Sequence, residues 1–354
     1  MASPGKAGER SAARIARICQ TPANSRNLRL KLLEEIRGAV PFDAYAWLLT
    51  DPATSVGSSP LAAVPCLPEL PDLIRLKYLT DVNRWTRLES PVALLSQATD
   101  GLLFRSRVWR ELQARYNVTD VASVVFSDPF GCWAFLDLWR AGAHGQFTAA
   151  ELNYLTGIVG PVTTALRRCQ ASAFNTGTIA TGQPRGPVVL LLSGTLDVLA
   201  QTPETQAYLR VLVPPDENQT PIPASAYNVA AQLLAVEARI DVNPPTARVH
   251  LFGGRWLTLR AARIADPQRS HRADIAVSIE DSSPTERTEL FGRVHALSSR
   301  ERELLDHLVT GRDTRDLARL MFLSPHTIQD HLKSIFDKTS VRNRRTLLSR
   351  ALGT

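Results

Sequence analysis

The chain has 354 residues, 44% of them hydrophobic and 21% charged, and 41 basic against 34 acidic residues give a formal net charge of +7. This length is too great for one ordinary domain, so we expect two or three, each with enough apolar side chains for a real core. The mild basic excess suits a polyanionic partner without proving one, and the lack of an apolar run of 18 residues or a secretion signal predicts a cytoplasmic protein outside the membrane.

Cysteine spacing argues against a metal site and against a disulfide framework. Cys19, Cys66, Cys132 and Cys169 are widely separated, with no CxxC pair and no neighbouring pair of histidines. The sequence also lacks a GxxxxGK[ST] phosphate cradle, an HExxH motif and a GxSxG elbow. We therefore expect no catalytic residues, no metal and no cofactor, and free thiols in a reducing compartment.

The first half of the chain mixes helices and strands. The predicted elements are a short helix at 9–20, an amphipathic helix from Asn27 that Gly38 and Pro41 close, a strand at 43–50, a loop at 53–71, helices at 73–79 and 106–116, a strand pair at 118–127 and 132–139, and an exit helix from Thr148 to about Arg168. This order resembles a GAF-type sensor domain over residues 27–170.

Five of the six tryptophans fall in this GAF-like region. Packing in the core is the simpler interpretation for each of them, and the alternative is a ring-lined pocket for a small apolar or aromatic molecule. Trp133 and Trp139 are six residues apart on one predicted strand and so share a face. The candidate ligand residues under the second interpretation are Trp47, Arg84, Trp85, Trp109 and Trp133.

A linker at 171–187, rich in Gly, Pro and small polar residues, precedes a second unit. Its predicted elements are a hairpin at 188–193 and 196–201, a helix from Pro203, a helix at 225–237, a hairpin at 247–252 and 255–264 that turns at Gly253, and a last strand at 274–281. This order resembles a PAS domain over residues 188–282, with Thr202 where that family has its hallmark asparagine.

A helical linker at 283–296 then leads to the end of the chain. Ser283 and Glu286 make a capping box around Pro284, and Leu290, Phe291 and Val294 form a short apolar stripe. The stripe suits packing against a neighbouring element or a dimer spacer, and the sequence leaves both open.

Residues 297–354 divide into four short helices with their own start signals. The predicted N-caps are Ser298 with Glu301 in a capping box, Asp313 with Asp316, Ser324 before Pro325, and Asn343. Gly311 ends the first of these helices, where a positive φ is commonly required. The tight connection of the second and third helices has the spacing of a helix-turn-helix.

The third helix, 325–338, has two distinct faces. Ile328, Leu332, Ile335 and Phe336 recur with helical period on one face, whereas Gln329, Asp330 and Lys333 lie together on the other. A glutamine suits adenine, an aspartate the cytosine amino group and a lysine guanine, so this second face is predicted to read bases in a major groove.

The run LSSRERELL, the segment ending LSPHTIQDHLKSI and the run SVRNRRTLLSRA together resemble the LuxR-type DNA-binding domain, also called GerE- or NarL-type. The resemblance implies phosphate contacts by Arg300, Ser324, Thr327, His331 and Arg344. It also implies a two-fold dimer, for which the apolar face of the fourth helix supplies Leu347, Leu348, Ala351 and Leu352. Gln329 and Asp330 depart from the family's usual residues, so the operator should differ from a typical family site.

The predicted fold class is a multidomain α+β protein, with a GAF-like domain, a PAS-like domain and an all-α, four-helix, wingless helix-turn-helix domain at 297–354. The predicted function is regulation of transcription on an inverted-repeat DNA operator, controlled by a signal sensed in the amino-terminal domains. The expected partners are double-stranded DNA and a second copy of the chain, with RNA polymerase and a small-molecule effector as further candidates. The alternatives are a quorum-type sensor-regulator and, in a different class, a GAF/PAS signalling enzyme.

Overall fold

In the computed structural model of the protein, the described residues are 4–175, 188–205, 208–209, 223–251, 255–264 and 274–353. The chain folds into two compact units. The sheet unit comprises residues 1–166, 185–249 and 258–280, and the helical unit comprises residues 167–184, 250–257 and 281–354. Most of the predicted linker at 171–187, most of the predicted helix after Pro203 and the predicted turn at Gly253 lie outside the described residues.

Helices of the first 237 residues match most of the predicted ones. They are α1 Pro4–Gln20, α2 Ser25–Ala39, α3 Leu70–Leu79, α4 Leu95–Ala98, α5 Arg107–Glu111, α6 Ala149–Ser172 and α7 Ala224–Glu237. The helix predicted at 106–116 is confirmed only in its first half, because α5 ends at Glu111 and a 3-10 turn takes over at Gln113–Tyr116.

The first sheet has five strands in the order β2-β1-β5-β4-β3. They are β1 Ala44–Thr50, β2 Gly57–Ala63, β3 Val92–Leu94, β4 Val118–Asp128 and β5 Gly131–Ala141, and every neighbouring pair is antiparallel. The predicted turn between β4 and β5 is confirmed, and it needs glycine at 131 because a Cβ there would lie 2.4 Å from the carbonyl oxygen of Pro52.

The prediction that residues 53–71 form a loop is wrong, because β2 lies within them. Its sequence, GSSPLAA, consists mostly of residues that rarely form strands. Since β2 is an edge strand, Pro60 is tolerated there, whereas a proline in a central strand would interrupt the hydrogen-bonded ladder.

The second sheet confirms the strands predicted after residue 187. Its order is β7-β6-β10-β9-β8, with β6 Val188–Leu192, β7 Val198–Gln201, β8 Thr246–His250, β9 Trp256–Arg263 and β10 Ile275–Asp281. Strand β6 pairs antiparallel with both β7 and β10. The two antiparallel sheets make this a mixed α/β fold, while the GAF-like and PAS-like identities stay predictions.

Tryptophan side chains fill the core around the first sheet. Trp47, Trp133 and Trp139 are at most 1% exposed, the Trp47 ring stacks on Phe126 and the Trp85 ring stacks on Phe135 with centroids 4.7 Å apart. Residues 132–140 of β5 are buried without a break, so helices and loops cover both faces of this strand. The simpler of the two interpretations, core packing, therefore accounts for these rings.

Buried ion pairs join the first sheet to the second within the sheet unit. The Arg248 guanidinium donates to both carboxylate oxygens of Asp51 at 2.7 Å, and Arg84 donates from Nε to Asp241 at 3.2 Å. All four side chains are at least 94% buried. Burial raises the pKa of Asp51, but the adjacent Arg248 outweighs it and holds that pKa below its ordinary value. The first pair joins the residue after β1 to β8, and the second joins the loop after α3 to the loop before β8.

Helices dominate the helical unit. They are α8 Pro284–Val294, α9 Ser299–Val309, α10 Thr314–Leu320, α11 Pro325–Thr339 and α12 Arg344–Leu352. The linker helix is confirmed as α8, with its capping box at Ser283 and Glu286. Phe291 of α8 packs edge-on against Phe174, which stacks on Trp256, so the apolar stripe of this helix is used for packing inside the unit.

Candidate nucleic-acid interface

Four helix starts in the helical unit carry the predicted caps. Ser298 and Glu301 form a complete capping box at α9, Asp313 accepts from the backbone of α10, and Ser324 and Asn343 accept from the third residue of α11 and of α12. Each cap satisfies backbone N–H groups that have no partner inside the helix. Gly311 has a φ of +81°, as its predicted role at the end of α9 requires.

The apolar stripe of α11 is buried as predicted. Ile328, Leu332 and Ile335 are buried, and Phe336 is partly buried. They share the core with residues of α9, α10 and α12 that are fully buried as well, namely Leu304, Leu305, Leu308, Leu317 and Leu347. The opposite face of α11 is therefore the one that remains available for a partner.

A buried carboxylate ties α11 to α9. Glu301 is 4% exposed, and its side chain accepts from Ser334 Oγ at 2.6 Å, from Lys338 Nζ at 2.6 Å and from the Ser298 N–H at 2.6 Å. Burial alone would raise the pKa of Glu301, but the hydrogen bonds from Lys338, Ser334 and Ser298 outweigh it and lower that pKa to about 2. The sequence revealed only the capping half of this role.

The three predicted base-reading residues lie on the exposed face of α11. Gln329, Asp330 and Lys333 are all exposed. The Asp330 carboxylate lies 3.8 Å from Nε2 of His326, one turn nearer the start of the helix. Their assignment as base-reading residues stays a prediction, and the structure leaves their side chains accessible for it.

The five predicted phosphate residues are in mixed environments. Arg300 is exposed and pairs with Glu303, and Arg344 donates to the carbonyl oxygen of Arg312. Ser324 Oγ accepts from the Thr327 N–H at 3.1 Å and lies 2.9 Å from the Thr327 hydroxyl, so both side chains already serve the start of α11. His331 is partly buried.

Positive charge near α11 extends beyond the predicted contacts. Residues 297–354 contain 11 Lys or Arg and 7 Asp or Glu, which gives +4 of the formal net charge of +7 of the chain. Arg319, Arg342 and Arg345 are exposed, and Arg319 is the last basic residue of α10. The helix starts of α10 and α11 add the partial positive charge of their dipoles. A count of charges in this segment alone could have found these arginines.

The predicted dimerisation residues divide into two pairs. Leu347 and Ala351 are fully buried in their own unit, whereas Leu348 and Leu352 are only partly buried. The fourth helix α12 packs on α8 and α9, and this explains why half of its apolar residues are used internally. Leu348 and Leu352 are the two that stay available for a second copy.

The predicted ligand residues of the first half do not line a common cavity among the described residues. Arg84 pairs with Asp241, the Trp85 indole donates to Asp137 at 2.9 Å and the Trp109 indole donates to the Val118 carbonyl at 2.8 Å. Trp47 and Trp133 are fully buried.

A small cavity of about 10 Å³ lies nearby, with a lining of both polar and apolar side chains. Its residues are Lys77, Val82, Asn83, Leu95, Ser106, Val108, Gln113, Val121 and Ser123. The cavity holds about one water molecule. The amide nitrogen of Asn83 is buried and lacks a hydrogen-bond partner within the described part of the chain, and Asn83 has a φ of +47°.

In the described ranges, no three or more His, Cys, Asp or Glu residues come together as a metal site. Within the same ranges, none of the helices has the length and hydropathy to cross a membrane.

Comparison with known proteins assigns the last four helices, α9 to α12, to a class. Residues 295–351 match the family of bacterial regulatory proteins, luxR family. This segment, from the end of α8 through α12, is therefore a LuxR-type helix-turn-helix domain, a class of DNA-binding domain.

Individual relatives are transcriptional regulators. The chain is 38% identical over 53 residues to the CsgBAC operon transcriptional regulatory protein of Escherichia coli and to a probable csgAB operon transcriptional regulatory protein of Salmonella typhimurium. The match covers 15% of this chain, and the chain spans about a quarter (24%) of the length of these curated relatives. A solved structure of Escherichia coli SdiA is 10% identical over 97% of this chain and 96% of its own, with a TM-score of 0.33, too low to support an argument.

Proposed function

We propose that this protein regulates transcription by binding an inverted-repeat operator as a two-fold dimer through α11. The observation that carries the proposal is the division of α11, whose apolar side is buried while Gln329, Asp330 and Lys333 are exposed together. Glu301 fixes the orientation of this helix against α9, so its exposed side chains are presented from a rigid support. The basic residues around α11 supply the attraction to phosphates.

Each exposed side chain has a definite role in the proposal. Gln329 pairs with adenine, Lys333 with guanine, and Asp330 accepts from the cytosine amino group. Arg300, His331 and Arg344 contact phosphates, and the start of α11 at Ser324 and Thr327 offers backbone N–H groups to another.

Selection of duplexes from a random DNA library by the full chain tests this function. We expect an inverted repeat with half-sites about one helical turn apart, and an affinity that falls steeply as salt rises. Gln329→Ala should relax the preference at one base pair of each half-site, by about 1–3 kcal/mol. Equal weakening on every duplex would show that Gln329 contacts only the backbone, and no salt-sensitive binding at all would reject the function.

We further propose that a small-molecule effector controls the protein through the cavity beside α3 and α5. Its support is the buried amide nitrogen of Asn83, which lines this cavity and has no hydrogen-bond partner in the described structure. Because the cavity of about 10 Å³ accepts only a water molecule, an effector must displace part of its wall. The proposal assigns polar contacts with the effector to Asn83 and Lys77 and treats the tryptophan rings as core.

Native mass spectrometry of the full chain purified from its own host tests the effector. We expect a bound molecule whose loss lowers the melting temperature, and an Asn83→Leu variant that no longer retains it. A protein that carries no molecule and shows no shift with any fraction of host extract would leave the sheet unit as a scaffold.

A further inference from the structure

An exposed aromatic residue occupies the turn of the helix-turn-helix. Phe322 lies between α10 and α11 and is 95% exposed, the largest value among the exposed large hydrophobic residues of the described chain. Of its neighbours, Met321 is buried and Leu323 is partly buried. A singly exposed apolar side chain is common on protein surfaces and would need no explanation by itself.

The backbone at Phe322 makes the residue unusual. Its φ is +55°, in the left-handed region that a bulky side chain rarely adopts. The Leu323 N–H donates to the Ala318 carbonyl at 2.9 Å, and the Phe322 N–H donates to the Arg319 carbonyl at 3.4 Å. This is the hydrogen-bond pattern of a Schellman motif, and Phe322 is at the position where glycine is usual.

The turn therefore carries a side chain that costs stability and is almost fully exposed in the described structure. Glycine or asparagine would adopt the same backbone with less strain. Strained residues persist mainly where they serve a function, so the combination of strain and exposure points to a partner for the ring.

The position of Phe322 identifies the partner. Ser324, the N-cap of α11, is two residues further on, and in helix-turn-helix proteins the start of the recognition helix contacts bases while the helix before it crosses the DNA backbone. When such a domain binds DNA, a residue between these two helices is therefore close to the duplex. Phenylalanine contacts the thymine methyl group, and the deoxyribose ring presents similar apolar carbon.

We propose that Phe322 is a DNA-contacting residue whose ring packs on an apolar group of the operator, a thymine methyl or a deoxyribose. The inference rests on the proposed DNA-binding function and adds an apolar contact to the polar ones on α11. We prefer DNA to a protein as the partner of the ring, because α11, the helix proposed to enter the groove, begins just after Phe322.

The variant Phe322→Gly tests the proposal in the full chain, with the best duplex selected by the wild-type protein as the probe. Glycine relieves the strain and removes the ring, so we expect a melting temperature equal to or above that of wild type and a DNA affinity about tenfold lower. A structural role for the ring would lower both quantities together. Phe322→Asn, which also tolerates a positive φ, should behave in the same way.

Ser340→Gly is the matched control. Ser340 ends the same helix α11, is exposed and has a φ of +52°, so glycine relieves strain there too. We expect it to raise the melting temperature and to leave DNA affinity unchanged.

Replacement of each thymine of the duplex by deoxyuridine, one at a time, distinguishes the two apolar groups. If the ring packs on a methyl group, wild type loses affinity when one thymine per half-site is replaced, and Phe322→Gly loses none at that position. If the ring packs on deoxyribose, no replacement lowers the affinity of wild type more than that of Phe322→Gly. An affinity of Phe322→Gly equal to wild type would overturn this inference alone. Failure of the wild-type chain to bind any duplex would overturn the proposed function as well.

Discussion

Replacing Glu301 with glutamine should loosen the attachment of α11 to α9. Glutamine has the shape of glutamate but no charge, and its amide group cannot accept from Lys338, Ser334 and Ser298 together. The fall of the Glu301 pKa from 4.5 to about 2 corresponds to about 3 kcal/mol of stability at neutral pH. We expect Glu301→Gln to destabilise the helical unit by about 2–3 kcal/mol at pH 7, because part of the Lys338 side chain is exposed and its charge is screened.

The loss of stability caused by Glu301→Gln should depend on pH. Because the folded-state pKa is lowered, the stabilisation by the carboxylate is fully present above the unfolded-state pKa near 4.5 and is lost as pH falls toward 2. The difference between wild type and Glu301→Gln should therefore shrink between about pH 5 and pH 2.

Urea unfolding at pH 7 and pH 3, followed by the methyl NMR signals of isoleucine, measures the effect at both pH values. Ile328 and Ile335 report on α11, and Ile275 and Ile279 of β10 serve as internal references in the sheet unit. Glu303→Gln is the control, since its exposed pair with Arg300 should contribute at most about 1 kcal/mol. An equal loss for both variants, or a Glu301→Gln effect that does not change with pH, would refute the reasoning.

Three further predictions concern the sheet unit, the dimer and the operator. Arg84→Met should destabilise the sheet unit by about 3–5 kcal/mol, because it leaves Asp241 buried without its partner, and adding Asp241→Leu should recover much of the loss. Urea unfolding followed by tryptophan fluorescence measures both variants, and a smaller loss in the single variant than in the double would contradict this prediction. Leu348→Glu with Leu352→Glu should give a monomer by analytical ultracentrifugation and weaken operator binding about a hundredfold or more, whereas undiminished affinity with a single half-site footprint would argue against a dimer. Gln329→Ala should lower the affinity for the selected operator about 5- to 150-fold per half-site in a binding titration, with single-base variants at the affected position bound almost as well as the operator itself.

Sequence patterns revealed the parts of this protein that depend on local chemistry. The caps at Ser298, Asp313, Ser324 and Asn343 are visible because an N-cap side chain acts on residues two or three positions away. The buried stripe of α11 follows from helical period for the same reason.

Interactions between distant residues could not be predicted in this way. Ser334 and Lys338 meet Glu301 across 33 and 37 residues, and Arg84 meets Asp241 across 157. The sequence suggested Arg84 as an anchor for a ligand because an arginine near tryptophans has no visible partner, and the partner Asp241 lies in the loop between α7 and β8. No periodic pattern encodes such a pairing, since it arises only when the two sheets pack.

The ion pairs Asp51–Arg248 and Arg84–Asp241 have a consequence for how this protein can be divided or recombined. A fragment that ends near residue 170 would keep Asp51 and Arg84 and lose both of their partners, so it would retain two unlike charges in surfaces built to exclude water. Exchange of the first sheet for that of another regulator would meet the same obstacle unless the partner residues were exchanged with it. The two sheets are thus expected to be inherited, expressed and engineered as a single module, although the sequence presents them as two.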